Sequence, residues 1–327
     1  MADLCRQFTM LVAAAAIVAG DVSSARAHES PEHVIEVLTA EMERTGPTAE
    51  LLYRRAVEHR AMRDWPAAEA DLRAATQLAP EDASIHIELA RVLAKDRDRA
   101  FEAALLIDGL QRKYSAAPKP DFYADLIALE GELNLEFGAW EEAALAFDRA
   151  IELRPEVAWC VQRSRALSHL PEKREEQLRG LRDVYTATQN PALLRELCDA
   201  LLKADVSTAA EHREATALIE AELVANRFRS AWLIRRAKLH RIEGRTAAAT
   251  ADLREALAEL EPRIHPTRPD VELVVQRGAA LAMLDEVAKA RADLRRAEYL
   301  YAPDWMLAPL VEALAGRAAP TAVSPDE

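Results

Sequence analysis

The chain has 327 residues, enough for two ordinary globular domains or one long repeat array. Half of the residues are hydrophobic, only 5% are aromatic, and nine are glycine, which is typical of a nearly all-helical protein. The formal net charge of −13 argues against a general nucleic-acid binder and against adhesion to an anionic membrane surface. No β-branched run bounded by turn residues occurs, so the predicted fold class is all-α.

The first 27 residues are predicted to be a secretory signal peptide. Arg6 precedes an apolar run over residues 8–20, and a short polar segment ends in Ala25-Arg26-Ala27, a small-x-small cleavage pattern. The apolar run has about thirteen residues, fewer than the roughly 20 that span a bilayer. We therefore expect cleavage after Ala27 and a mature protein in the bacterial periplasm. An uncleaved signal that anchors the protein is the alternative.

Seven segments share one pattern, an amphipathic first helix with a small residue at the same place. These small residues recur at separations of 33 to 41 residues. A period of this size is typical of stacked helical hairpins, each of which buries its apolar face only against its neighbours. The small positions are Ala56, Ala90, Gly131, Ser164, Cys198, Ala237 and Gly278.

Four of the seven segments are followed by a second helix with its own pattern of alanine, a large apolar residue and alanine. The spacings of four and three place these side chains on one helix face. The sets are Ala68/Leu72/Ala75, Ala143/Phe147/Ala150, Ala249/Leu253/Ala256 and Ala290/Leu294/Ala297. Three of them repeat the letters A-D-L-R-x-A, at residues 70–75, 251–256 and 292–297. Prolines follow at Pro80, Pro155, Pro262 and Pro303.

This pattern resembles the tetratricopeptide repeat, a helix–turn–helix unit of 34 residues. The match is most complete in residues 124–155, where Gly138 is expected to turn the chain between the two helices. The resemblance implies a right-handed superhelical array of about seven hairpins. The second, fourth and fifth hairpins depart from the second-helix pattern: Ala103 and Ala104 fall one or two residues late, and Glu176 and Gln177 stand where alanine is expected.

The predicted organisation has five segments. After the signal peptide at 1–27, residues 28–48 are expected to form an N-terminal cap helix, 49–303 the repeat array and 304–315 a C-terminal capping helix. The last segment, 316–327, is expected to be a disordered tail. Loops are predicted at 111–120 and 262–270 because each carries several prolines or small polar residues.

The sequence predicts no enzyme, no cofactor and no metal site. The eight histidines are scattered, and no glycine-rich phosphate loop, H-E-x-x-H, paired C-x-x-C or G-x-S-x-G motif occurs. One alternative is a metal-binding accessory protein in which the mature N-terminal His28, with His33 nearby, chelates copper or zinc. Cys160 and Cys198 are interpreted as buried small residues, with a disulfide between them as the alternative.

Arginine recurs just before the small residue of several first helices. The structural interpretation is that the arginine stems cover the seam between helices while their charged heads pair with acidic residues of the second helices. Ligand binding is the alternative. These residues are Arg54, Arg55, Arg163, Arg235, Arg236 and Arg277.

In the tetratricopeptide family the first helices line a concave groove, and residues at offsets of −6, −3, +1, +4 and +5 from the small residue face into it. The resemblance therefore implies a groove with the basic residues Arg60, Arg91, Lys95, Arg165, Arg195, Lys203, Lys238 and Arg241, together with His169. Its acidic residues are Glu50, Asp125, Glu132, Glu136, Asp199 and Glu272.

A mixed to slightly basic groove on an acidic protein favours another protein or an extended peptide with carboxylates as the partner. The opposing interpretation is that the groove is polar only for solubility. The sequence thus predicts an exported helical-repeat scaffold for protein–protein interaction or assembly, with no nucleic acid and no stable membrane insertion after cleavage. A membrane-associated assembly factor with an uncleaved signal and the metal-binding accessory protein are the alternatives.

Overall fold

The computed structural model describes residues 30–315 apart from positions 97, 117–120, 204–205, 268, 301 and 303. The predicted signal peptide, His28 and the predicted tail lie outside the described residues. Over the part that is described, the chain forms sixteen α-helices and two short 3₁₀ turns and contains no strand, which confirms the all-α prediction. None of these helices is both long enough and apolar enough to cross a membrane.

The helices come in chain order as follows. They are α1 (Pro31–Thr45), α2 (Ala49–Ala61), α3 (Trp65–Leu78), α4 (Ala83–Leu93), α5 (Ala100–Lys113), α6 (Tyr123–Glu136), α7 (Trp140–Leu153), α8 (Val157–Leu167), α9 (Arg174–Thr188), α10 (Pro191–Leu201), α11 (Ala209–Ala225), α12 (Ser230–Ile242), α13 (Thr246–Leu260), α14 (Val271–Met283), α15 (Val287–Tyr299) and α16 (Asp304–Leu314). The 3₁₀ turns cover Pro171–Lys173 and Glu261–Arg263.

The chain divides into two compact units, with the division after Leu197 inside α10. In the first unit, α1 packs on α2, and the hairpins α2/α3, α4/α5, α6/α7 and α8/α9 follow, each packed on the next. In the second unit, α11 packs on α12, and the hairpins α12/α13 and α14/α15 follow. Each of the seven predicted first helices is therefore a real helix that is followed by a second one, as expected of a helical-repeat array.

The small residue of each first helix is buried against its hairpin partner or the next helix. Ala56, Ala90 and Ala237 are completely buried. Glycine is required at Gly131, because a Cβ atom there would lie 2.9 Å from Cζ of Phe147 on α7. Phe147 is itself fully buried, so the two helices approach closely around it.

The four regular hairpins share one turn between their two helices. Seven residues after the small residue, the backbone adopts a left-handed conformation, with φ of 59° at Arg63, 71° at Gly138, 75° at Gly244 and 64° at Asp285. This conformation favours glycine, and two of the four hairpins have glycine there. The predicted turn at Gly138 is confirmed.

Two of the irregular hairpins keep the second-helix pattern but shift it. In the second hairpin the buried face of α5 is formed by Ala103, Ile107 and Leu110, one residue later than in the regular hairpins. In the fourth, Gln177 and Leu181 are buried at positions shifted in the same way. The shift arises because, in both hairpins, the connection between the buried faces of the two helices is one residue longer than in the regular hairpins. The expectation of a loop from residue 111 is wrong at its start, since α5 continues to Lys113.

The helix α16 covers the last hairpin. It packs on α14 and α15, and Leu310 is fully buried. A Cβ atom at Gly278 would lie 2.7 Å from Cδ2 of Leu310, so the absence of a side chain on α14 makes room for α16. At the other end of the array α1 begins after Ser30, whose side chain accepts a hydrogen bond from the His33 amide.

Candidate partner-binding face

The eight basic residues predicted for the groove lie on first helices or directly after them. Together with the predicted acidic residues they define what we call the A-helix face. In the first unit these basic residues are Arg60 on α2, Arg91 on α4, Lys95 after α4, Arg165 on α8 and Arg195 on α10. In the second unit they are Lys203 after α10, and Lys238 and Arg241 on α12.

A buried carboxylate joins the first two basic residues. Glu88 on α4 has a side chain only 4% exposed, and it accepts hydrogen bonds from both Arg60 on α2 and Arg91 on its own helix. The Arg91 bond measures 2.7 Å from Nη1 to Oε2. A buried carboxylate needs such partners to remain charged. Glu88 therefore ties the first hairpin to the second, and the predicted offsets did not include it.

The next pairs join the second hairpin to the third. Lys95 Nζ lies 2.7 Å from Oε1 of Glu136, and Arg91 Nε lies 3.9 Å from Oε2 of Glu132. All four side chains are partly exposed, between 28% and 49%. Basic and acidic members of the predicted set thus pair with each other across neighbouring hairpins.

In the second unit, Asp199 binds two basic residues, as Glu88 does in the first unit. Its carboxylate accepts hydrogen bonds from Arg235 and from Lys238, with 2.8 Å between Lys238 Nζ and Oδ1. Burial by itself would raise the pKa of Asp199, but the charges of Arg235 and Lys238 outweigh this effect and lower the pKa to about 2. Asp199 is therefore held as an anion between two cations.

The remaining basic residues have different surroundings. Arg241 donates to the carbonyl oxygen of Met283, the last residue of α14, where a cation is favourable beside the helix C-terminus. Arg165 donates to Oε1 of Gln162, one turn earlier on α8, over 3.4 Å. Arg195 is half-buried on α10, and Lys203 is exposed after it.

Four of the eight basic residues of the A-helix face, Arg60, Arg91, Lys95 and Lys238, are therefore held in ion pairs. The sequence predicted which residue types stand on the first helices, but the offsets do not show which side chains meet across hairpins about 40 residues apart. The pairing also gives the acidic residues Glu132, Glu136 and Asp199 a role, since each binds a basic residue of the same face.

A second set of ion pairs joins the two helices of one hairpin. The sequence analysis predicted its arginines but did not name their partners. Arg236 forms two hydrogen bonds with Asp252, of 2.9 and 2.8 Å, and Arg55 and Arg277 bind their own aspartates in the same way. In each case the aspartate lies 16 residues after the arginine, and it is the D of an A-D-L-R-x-A copy. The structural interpretation of these arginines is confirmed, and the motif itself was the signal for their partners. The aspartates are Asp71, Asp252 and Asp293.

The cysteines and histidines form no chemical centre within the described residues. Cys160 and Cys198 are buried free thiols, as the small-residue interpretation predicted, and burial raises the pKa of each to about 12. The disulfide alternative does not hold. No group of three or more metal-ligating side chains occurs in the described ranges. His169 instead stacks on Trp140, with ring centroids 3.8 Å apart.

Two of the solved structures that resemble this chain cover most of its length. A tetratricopeptide repeat protein from Parabacteroides merdae ATCC 43184 has a TM-score of 0.52 at 16% identity, covering 81% of this chain and 98% of that one. Yeast Tom70 has a TM-score of 0.53 at 16% identity, covering 87% of this chain and 59% of that one. At this identity the likeness is one of fold, the helical-hairpin repeat. No protein-family model matches the sequence, and the comparison with curated proteins yields no match.

Proposed function

We propose that this protein is an exported helical-repeat scaffold that binds another protein, or an extended segment of one, through the A-helix face. Helical-repeat arrays present long surfaces built from neighbouring units and bind by extended contact. The likeness in fold to a tetratricopeptide repeat protein supports this class of function. The partner is expected to carry carboxylates, since five of the seven first helices, or the residues directly after them, carry the basic members of the face.

The observation that carries the proposal is the exposed ion pairs between hairpins. Lys95–Glu136 and Arg91–Glu132 are partly exposed, and pairs of this kind stabilise a fold by about 0–1 kcal/mol. A partner carboxylate therefore replaces Glu136 or Glu132 at small cost. Until then the internal carboxylates hold the basic side chains in place, which reduces the entropy lost on binding.

The buried pair behaves differently. Glu88 is enclosed between Arg60 and Arg91, so its removal would leave uncompensated charge inside the array. We assign Arg60 and Arg91, which both bind Glu88, to the framework of the face, and Lys95 to its exchangeable part. In the second unit, Lys238 and Arg241 are the corresponding candidates.

Site-specific photocrosslinking tests the proposal. Benzoylphenylalanine is placed at Lys95 or Arg241 on the A-helix face, and at Leu145 or Val224 as matched exposed sites on second helices, where the native side chains are 58% and 88% exposed. After irradiation in the native host, we expect the same partner to be crosslinked from both face sites and from neither second-helix site. Crosslinks confined to Leu145 and Val224 would place binding elsewhere.

Export is tested separately. Amino-terminal sequencing of the protein from the native host is expected to begin at His28, because the predicted cleavage site follows Ala27. An intact Met1 in a membrane fraction would instead favour the anchored assembly factor.

A further inference from the structure

The fourth hairpin, α8/α9, departs from the regular ones at its turn. Pro171 stands seven residues after Ser164, where the regular hairpins have a left-handed residue. Proline fixes φ near −65° and does not adopt that conformation. The chain forms the 3₁₀ turn Pro171–Lys173 instead, and α9 begins only at Arg174.

The shifted register brings larger side chains between the two helices. Gln177 is buried where regular hairpins have alanine, and its amide donates hydrogen bonds of 2.9 and 3.0 Å to the carbonyl and hydroxyl oxygens of Ser164. Val184 stands where the second alanine is expected. The two helices pack less closely than those of the regular hairpins.

A cavity of about 600 Å³ opens between α7, α8 and α9 as a result. Its inner wall includes Ile151, Cys160, Leu181 and Val184, of which the first three are buried. A volume of this size with an apolar wall is typical of pockets that hold a small organic molecule.

Arg163 closes one side of the cavity. In three regular hairpins the matching arginine binds a buried aspartate of its own second helix, but Arg163 bonds to Asp148 on α7 and to Glu176 on α9, each over 2.6 Å. Gly180 makes room for it, because a Cβ atom there would lie 3.1 Å from Arg163 Nη1. The guanidinium is therefore part of the wall and is occupied by two carboxylates.

The charge of the lining selects the class of ligand. Five carboxylates line the cavity against three cations. Each cation is already paired: Arg163 as above, Lys173 with Glu176 and Arg179 with Glu175. The lining carboxylates Glu172 and Asp183 form no ion pair with any described residue. The unneutralised charge of the lining is therefore negative.

We propose that this cavity binds a small organic cation with an apolar body. The apolar body lies against Ile151, Leu181 and Val184, and its ammonium or guanidinium group lies at the carboxylate of Glu172 or Asp183. The site is built by α7, α8 and α9 and is separate from the exchangeable pairs of the A-helix face. The test of this cavity is therefore independent of the test of partner binding.

Titration calorimetry with 2-(2-naphthyl)ethylammonium tests the site, with 2-naphthylacetate as an anionic probe of the same ring. We expect saturable one-to-one binding of the ammonium compound by the full chain and at least about tenfold weaker binding by the Glu172→Gln/Asp183→Asn variant. The matched variant Glu141→Gln/Glu142→Gln removes two exposed carboxylates outside the cavity, and we expect it to bind like the unmodified protein.

The two variants change only exposed side chains, so both are expected to fold. Absence of saturable binding at millimolar ammonium probe would overturn the proposal. Equal binding of the anion, or equal weakening in both variants, would overturn it too, because the affinity would then not come from Glu172 and Asp183.

Discussion

At the scale of single residues, two glycines show how backbone conformation sets the effect of a side chain. Gly244 has φ of 75° in the turn between α12 and α13, and Gly109 lies inside α5. A Cβ atom would meet nothing within 4 Å at either position. Any difference between their alanine variants therefore comes from the backbone alone.

Gly244→Ala is expected to lower the free energy of unfolding by about 1 kcal/mol, because alanine is strained in the left-handed region. Gly109→Ala is expected to raise it by about 0.5–1 kcal/mol, because alanine is the better helix former. Urea unfolding of both variants measures the difference. If both shift stability in the same direction, the assigned turn conformation is incorrect.

Asp199 gives the second unit a specific dependence on pH. Its pKa falls from about 3.9 in an unfolded chain to about 2 in the folded one. A lowered folded pKa contributes stability above the unfolded pKa and loses it as the pH falls through the folded pKa. The stabilisation by Asp199 is therefore complete above about pH 4 and is lost between about pH 4 and 2.

We expect Asp199→Asn to lower the free energy of unfolding by about 2 kcal/mol at pH 7 and by much less at pH 2. Unfolding curves of both proteins at a series of pH values provide the measurement. Asp183→Asn, which removes an exposed carboxylate, serves as the control and should change the free energy of unfolding little at pH 7. A difference between Asp199→Asn and the unmodified protein that stays constant from pH 7 to pH 2 would rule out this role.

At the scale of elements, the contact between α14 and α16 depends on one missing side chain. Leu310 occupies the space beside Gly278, and Cβ of Asp293 lies 3.1 Å from the Cβ position there. Space for a methyl group is therefore absent on both sides. The docking of α16 on α14 is therefore sensitive to any side chain at position 278.

Gly278→Ala is expected to displace Leu310 and to lower the free energy of unfolding by about 1–3 kcal/mol, as overpacking does. Hydrogen exchange should show faster exchange in α16 than in α13. The double variant Gly278→Ala/Leu310→Ala is expected to be more stable than the sum of the two single effects, because the clash is gone. Strict additivity would mean that Leu310 does not meet residue 278.

The regular hairpins were predictable because the residues that determine each hairpin lie close together in the sequence. The small residue, the alanine pair and the turn residue lie within about 20 residues, and helical periodicity places them on one face. Four copies of the pattern also reinforce each other. The shift in the fourth hairpin was not predicted, although Pro171 was visible, because its effect appears only when the left-handed turn of the other hairpins is known.

At the scale of the whole molecule, the candidate face was predictable in its residues but not in its electrostatics. The offsets named Arg91, Lys95 and Glu136, and the structure brings all three to the junction of two hairpins. Their pairing depends on packing between hairpins that are distant in sequence, and Glu88 was missed because it lies off the expected offsets.

This pairing changes how the charged residues of the A-helix face are interpreted. The chain has 55 acidic and 42 basic residues. The sequence alone nevertheless predicts basic side chains on the first helices that are available to an acidic ligand. The structure instead supplies internal carboxylates to many of them. In the proposed function, binding of a partner is an exchange of carboxylates, and we expect its affinity to fall with salt only moderately, since internal pairs re-form when the partner leaves.

Partner binding through the A-helix face is tested by measuring how tightly charge-reversed variants bind the purified partner that crosslinking identifies. Arg165→Glu/Lys238→Glu reverses one face residue in each unit, and Arg112→Glu/Lys289→Glu reverses two residues on second helices that are 74% and 72% exposed. Both variants change the net charge equally. Thermal unfolding checks the fold, and the neutral variant Arg165→Gln/Lys238→Gln avoids placing an acid beside Asp199.

We predict that the face variant weakens binding by about 100-fold or more, since each lost charge-assisted hydrogen bond contributes about 1.5–3 kcal/mol. The neutral face variant should also bind the partner more weakly. The dissociation constant of the second-helix variant should stay within about threefold of that of the unmodified protein. Equal dissociation constants for the face and second-helix variants would contradict partner binding through the A-helix face.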